Sequence, residues 1–349
     1  MRWYTIKMTP PKTGKTISGL PLTYTSLNNL GYPNPGALEI SFDIVNAEGH
    51  NIGPSAHLRI HNVPLSICQI CRNYQGMKIE ISAGFLNNGT SGFKLARQWQ
   101  SGVIAFGYIQ ACIPNYMGTE MVLDFIIIPT ATGSPYVGSP EYFAQNSPKP
   151  YVFNWTKGQD FREAIVKTFK TLGLKVNGTV SSKVKNNTNV TISNVCSNFT
   201  TFCEYINEKT QNLVDPPVQG KNQTYDGVSI VYTAIDTVTI FDNTYGGGIV
   251  NLYADEFIGQ PSVFTPRGLE VQSIHPLRSD VFLPAYVQFP NITTLISPSV
   301  GAVAGAQQKP LTSANTKLKV KQVRHLGRFR DPTAQGWATY ITSASIIGQ

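Results

Sequence analysis

The stretch Lys317–Thr342, KLKVKQVRHLGRFRDPTAQGWATYIT, decides how the chain is read. Leu318–Val323 has the β-branched, alternating character of a strand. Leu318 and Val320 share one parity and Val323 breaks it, which marks a bulge or a strand end. Arg324-His325-Leu326-Gly327 follows, then a polar, Pro-containing loop, Arg328–Gly336. A second strand starts at Trp337, with Trp337, Thr339 and Ile341 on one face. His325, Arg324, Arg328, Arg330 and Asp331 crowd together as a catalytic cluster would. The flanking apolar parity favours a hairpin that closes a β-barrel, with His325 and its neighbours holding a turn at the rim.

Composition supports strands. Charged residues make up only 14% of the 349 residues, against roughly 25% in ordinary soluble domains. Thr, Val, Ile and Tyr punctuated by Gly and Pro favour strands and turns. Low charge also points to a surface that meets other subunits, because a free monomer needs more charge for solubility. The net charge of +8 comes with no arginine-rich run, so sequence-specific nucleic-acid recognition is not indicated. The N-terminus, MRWYTIKMTPPKTGK, has no apolar run of signal-peptide length. Met121–Ile128 is too short to cross a bilayer as a helix. The expectation is a soluble protein made in a cytoplasm, where its five scattered cysteines stay reduced.

Working back from the hairpin, residues 256–349 read as strands. Val281, Leu283, Ala285, Val287 and Phe289 alternate, and Pro284 places that run at an edge or bulge. Residues 299–314 read as a loop. Residues 154–255 change character. Phe161, Ile165, Phe169 and Leu172 make one helical face. Thr156 and Gln159 have capping-box spacing, and Gly173 fits the left-handed stop, with Leu174 folding back on Phe169. A second helix is expected over Ser197–Lys209, and strands at Val190–Ile192, Val228–Ala234, Thr237–Phe241 and Ile249–Tyr253. Residues 136–153 are Pro-, Gly- and Ser-rich and read as a linker. Residues 1–135 are again strands: Leu38–Ile44, His57–His61, Met77–Ser82, Gly102–Ile113 and Met121–Ile128, the last apolar enough to be buried on both faces. A turn is expected at 87–89. The fold class is mainly β (α+β), with two β-barrel domains, 1–135 and 256–349, flanking a small mixed α/β insert over 154–255.

Tests for chemistry fail one by one. Nothing matches Gly-X-Ser-X-Gly, and His325 with Asp331 lacks a nucleophile. Cys68-Gln-Ile-Cys71 has metal-like spacing, but a structural zinc needs two further ligands. Only His57 and His61 lie near, so buried thiols on a helical turn with Ile67, Ile70 and Tyr74 are expected. Gly246-Gly247-Gly248 precedes a strand and lacks the lysine and helix of a phosphate cradle. His275 and His325 read as residues that fix loop conformation. The acidic residues fall mostly at turn or exposed-strand positions. The sequence assigns no catalytic, metal-binding or cofactor-binding residue.

The order of motifs resembles the baseplate hub proteins of contractile-tailed bacteriophages, to which the spike base of type VI secretion is related. Leu58-Arg59-Ile60-His61-Asn62-Val63 followed by Gly76–Phe85 resembles the hub's paired strands of barrel one, and Gly102–Ile109 the strand after them. Ile258-Gly259-Gln260-Pro261 resembles the entry to barrel two, and Ile274-His275-Pro276-Leu277 its turn. Val323–Gly327 followed by Trp337-Ala338-Thr339 resembles the hub's ending. Arg328 stands where the hub pattern has Asp, and His275 where it has Asn. The resemblance implies tail-tube-like barrels and a structural, non-enzymatic homotrimer whose six barrels form a pseudo-sixfold ring. That ring would join a hexameric tail tube protein to a trimeric central spike protein in the virion, beside baseplate wedge proteins. The tape measure protein and DNA would pass through its lumen without being read. Another tail-tip or receptor-binding module, or a cell-wall-degrading tail enzyme, are the alternatives.

Overall fold

The computed structural model describes residues 1–10, 19–49, 55–87, 94–95, 97–129, 150–178, 180, 184, 191–211, 225–242, 247–264, 270–290, 297–298 and 317–345. The expected loop at 299–314, most of the linker, the turn beyond Asn87 and Gly246 lie outside these residues. Three apolar cores organise the rest.

The first β region holds β1 (Arg2–Thr9), β2 (Thr23–Thr25), β3 (Ile40–Ala47), β4 (Ser55–His61), α1 (Leu65–Ile70), β5 (Lys78–Asn87), β6 (Lys94–Leu95), β7 (Ser101–Met117) and β8 (Glu120–Ile128). Period-two alternation aims Ile40, Phe42 and Ile44 inward with Leu58 and Ile60 of β4. β8 is not buried on both faces as expected. Leu123, Phe125 and Ile127 are buried, while Asp124, Ile126 and Ile128 are half-buried on the outer face.

The middle region holds β9 (Tyr151–Trp155), α2 (Phe161–Thr171), β10 (Lys175–Gly178), β11 (Ile192–Cys196), α3 (Phe199–Gln211), β12 (Ser229–Ala234) and β13 (Thr237–Phe241). The expected capping box is displaced: Gln159 Oε1 accepts from Thr156 in the turn before α2, and Asp160 is the N-cap, accepting from Arg162 N at 2.7 Å. The stop is as expected. Gly173 adopts φ +77°, its N–H reaches Lys170 O at 3.0 Å, and Leu174 N reaches Phe169 O at 3.0 Å. Tyr151–Phe153, expected in the linker, are strand, and Tyr151, Phe153 and Trp155 enter this core with Phe161, Phe169 and Phe202.

The second β region holds β14 (Ile249–Asn251), β15 (Ser262–Phe264), β16 (Glu270–Pro276), β17 (Tyr286–Gln288), β18 (Ser297–Pro298), β19 (Leu318–Arg328) and β20 (Trp337–Ser345). β14, expected in the insert, pairs parallel with β17. The alternating residues Val281–Phe289 all reach the core, yet only Tyr286–Gln288 is strand, because Pro284 offers no ladder donor. β19 runs on through His325 to Arg328, so no turn lies at 324–327. Its expected bulge is present between Val320 and Gln322.

The β19–β20 hairpin does more than finish the second region. Gln322–Arg328 of β19 pair antiparallel with Ser41–Ala47 of β3. That seam fuses both β regions into one fifteen-stranded sheet. The two regions repeat one pairing order: β3-β4-β8-β7-β5 and β15-β16-β20-β19-β17, antiparallel at every step. Each hairpin has a one-residue bulge at the matching place, between Ile109 and Ala111 in β7 and between Val320 and Gln322 in β19.

Candidate functional site

Some of the polar residues that looked functional in the sequence, His275, Arg324, His325, Arg330 and Asp331, lie where the two β regions meet. Three clusters of polar residues bind the regions together.

The first lies across β16, β19 and β20. One ladder row places His275 opposite Thr339 and Thr339 opposite His325. Thr339 Oγ1 accepts from Arg278 N at 3.0 Å and lies 2.9 Å from His325 Nδ1. His275 is 3.1 Å from the Glu256 carbonyl and 2.9 Å from Ser273 Oγ. Burial holds the His325 pKa down to about 4. Burial, and then the nearby Arg278 charge, hold that of His275 down to about 3. Both rings are therefore neutral hydrogen-bonding groups at pH 7.

Arg278 is 1% exposed. Its guanidinium grips Asp280 at both oxygens, 2.8 Å each, and reaches Glu256 Oε2 at 3.2 Å. The buried Glu256 carboxylate also accepts from Arg97 of the first region at 3.0 Å. Trp99, again from the first region, lies 4.3 Å beneath the Arg278 guanidinium. Its carbonyl accepts from Ser279 N at 2.9 Å. Such fully partnered burial fixes geometry, because a lone buried charge is costly.

A second cluster joins all three regions. Glu48, at the end of β3, is buried and meets Lys319 Nζ of β19 at 2.7 Å and Lys321 Nζ at 3.3 Å. Lys319 also reaches Ser229 of β12 at 3.4 Å and lies 4.9 Å from the Phe241 ring centre. Burial draws the Lys319 pKa below its ordinary value, and Glu48 opposes that shift. Next to Glu48, Gly49 donates to Ile230 O at 2.9 Å. A Cβ there would stand 2.6 Å from Cys203 Sγ.

The third cluster spans the end of β19, the loop after it and the start of β20. Arg324 makes a bidentate pair with Asp43 at 2.8 and 2.6 Å. Arg330 donates to Ala37 O at 2.6 Å. Asp331 accepts from Thr333 N and Oγ1, both at 2.8 Å, and these bonds lower its pKa. Arg2 donates to the carbonyls of Arg328, Asp331 and Thr333. Trp337 is fully buried in the first region's core and donates to Gly84 O at 3.2 Å.

The structure thus sets His325 and His275 on one ladder row, on either side of Thr339, and places Asp331 in the loop after β19. Each carboxylate described in the clusters has a cationic or hydrogen-bonding partner. Cys68 and Cys71 are buried with Tyr74, against Ile67 and Ile70. The Cys71 thiol faces Cys112 O at 3.7 Å, and burial raises the pKa of Cys68 and Cys112. His57 and His61 lie on the outer face of β4, with His61 beside Glu120. Among the described residues no group of three or more His, Cys, Asp or Glu is placed to hold a metal. Glu48, Glu256, Arg278 and Lys319 escaped the sequence reading, which placed most acidic groups in turns or on exposed strands. The one local sign was Lys319 between Leu318 and Val320.

No protein-family model matches the chain, and no curated protein matches it by sequence. Solved structures do resemble it. One is the Escherichia coli c3393 protein, a component of the type VI secretion system with structural similarity to the T4 bacteriophage tail proteins gp27 and gp5. The likeness has a TM-score of 0.51 at 8% identity over 90% of this chain and 77% of that one. The 43 kDa tail protein of prophage MuSo2 from Shewanella oneidensis follows at 0.49, with 9% identity and 100% of both chains covered. A tail protein from Neisseria meningitidis MC58 gives 0.47 at 8% identity, over 99% of this chain and 98% of that one. The c3393 likeness establishes a shared fold.

Proposed function

We propose that this chain is the hub of a phage tail baseplate, three copies of which form a pseudo-sixfold ring between a hexameric tail tube and a trimeric spike. The observation that carries the reading is the repeated pairing order of the two β regions, fused edge to edge by β3 and β19. A chain with two like β units supplies six in a trimer, so one face can match a hexamer and the other a threefold object. We take the two units as tube-like barrels, 1–135 and 256–349, around an insert at 154–255, with β9 added to the insert and β14 to the second barrel. The polar clusters support a structural role, since their charges lock regions together. In the virion the ring's lumen passes the tape measure protein and DNA, and the wedge proteins of the baseplate surround it.

Mass photometry of the purified chain tests this. The expected mass at micromolar concentration is three times 38.2 kDa, and negative-stain images should show a ring with threefold symmetry. A strict monomer at that concentration rejects the hub.

A further inference from the structure

We propose that Cys71 and Cys112 are a redox latch, joining under oxidation as a disulfide that ties the turn after α1 to β7. The thiol chemistry is independent of the hub reading, and only its use rests on that reading.

The spacing Cys68-Gln-Ile-Cys71 suggests that these two cysteines belong together. The fold pairs Cys71 differently. Cys68 lies within α1, and Cys71 opens the 3₁₀ turn Cys71–Tyr74 that follows it. That turn packs on β7, where Cys112 enters the first core opposite Phe125 of β8. The Cys71 thiol donates to Cys112 O at 3.7 Å, across a sequence separation of 41. The Cys112 thiol in turn donates to the Cys71 sulfur. Cys68 is directed elsewhere, its thiol reaching Val63 O at 4.0 Å.

Burial raises the pKa of the Cys112 thiol, and Cys71 is 1% exposed. The thiolate is therefore scarce, the oxidant must be small, and the latch closes slowly. A reducing cytoplasm leaves it open. A virion released from the cell stays in oxidising surroundings, where slow closure suffices.

Hydrogen peroxide is an oxidant of the required size. Cys112, at 7% the more exposed of the two, attacks one peroxide oxygen as its thiolate. The O–O bond breaks, the sulfur is oxidised to a sulfenic acid, and the other oxygen leaves as water. The Cys71 thiolate then attacks that sulfur, the S–S bond forms, and the remaining oxygen leaves as a second water. Two thiols are oxidised, one peroxide is reduced, and the thiol protons end in the waters. The bond encloses β5 and the first part of β7, so the unfolded chain loses the freedom of that long loop.

Dilute hydrogen peroxide applied to the folded wild-type chain for a day tests this. Two of the five thiols should become closed to alkylation after unfolding, and a peptide map should recover Cys71 linked to Cys112. The apparent Tm should rise by at least about 5 °C and return to its starting value with dithiothreitol. Cys68→Ala should keep the rise, and Cys112→Ala should lose it. If the linked peptide is Cys68–Cys71, or Cys112→Ala gains the same Tm, the pairing is wrong. If all five thiols remain open to alkylation, or Cys112 becomes a sulfinic acid without a link, there is no latch. None of these results bears on the trimer, which mass photometry reads separately.

Discussion

His325 is the residue whose meaning changed most. It lies inside a strand, neutral and buried, hydrogen-bonded to Thr339. Its folded pKa of about 4 is below the unfolded value of about 6.5. The unfolded chain therefore binds the proton more readily. The histidine's contribution is complete above pH 6.5 and is lost as pH falls through the window from 6.5 to 4. His275 adds to the loss with the same sign. We expect chemical-denaturation stability to drop between pH 7 and pH 5, and His325→Gln to have a shallower pH slope than wild type. An unchanged slope refutes the assignment. Arg278 is the other decisive residue. Arg278→Met leaves Glu256 buried beside one remaining guanidinium, so a loss of about 3–5 kcal/mol is expected in urea unfolding. A change below about 1 kcal/mol would mean that the cluster is ornamental to stability.

At the level of elements, the β3–β19 pairing depends on a position without a side chain. A Cβ at Gly327 would stand 2.0 Å from the Phe42 ring. That ring is held 4.9 Å from Trp337, so it cannot swing clear. Gly327→Val should cost about 1–3 kcal/mol by overpacking. Phe42→Ala in the same chain should recover part of that cost, although Phe42→Ala alone is destabilising. Additive losses in this double-mutant cycle would show that the two sites do not touch. The elements also show what a sequence reveals. α2 was legible because helical period, acidic first turn and left-handed Gly173 all act within a few residues. The β19 bulge was legible in the parity break at Val323. β14 was legible as a strand, but its place in the second region was not, because a parallel pairing with β17 leaves no local pattern. The strand through Arg324–Arg328 was misread as a turn because its polar side chains have partners, Asp43 and Thr339, far away in the chain.

At the scale of the whole molecule, the shared β sheet couples two regions, and Glu48 couples the third. Its carboxylate is fully buried between Lys319 and Lys321. Lys321 stands 4.0 Å from Asp226, and Lys319 touches Ser229, both at the start of the last middle-region hairpin. Val231 and Phe241 of that hairpin face the second β core, whereas Ile230 and Ile240 face the middle core. The junction is therefore a shared wall as well as an ion pair. Removing one partner leaves an uncompensated buried charge, so Glu48→Ala should cost about 3–5 kcal/mol. Replacing both ions, Glu48→Leu with Lys319→Met, should recover most of the loss, since buried pairs exchange for apolar groups at little net cost. Amide hydrogen exchange locates the effect. In Glu48→Ala, β12 and β13 should lose protection more than β4 and β8 of the first region. If protection instead falls evenly over all three cores while the double variant stays as weak as the single, Glu48 is part of one indivisible core and the junction has no separate role.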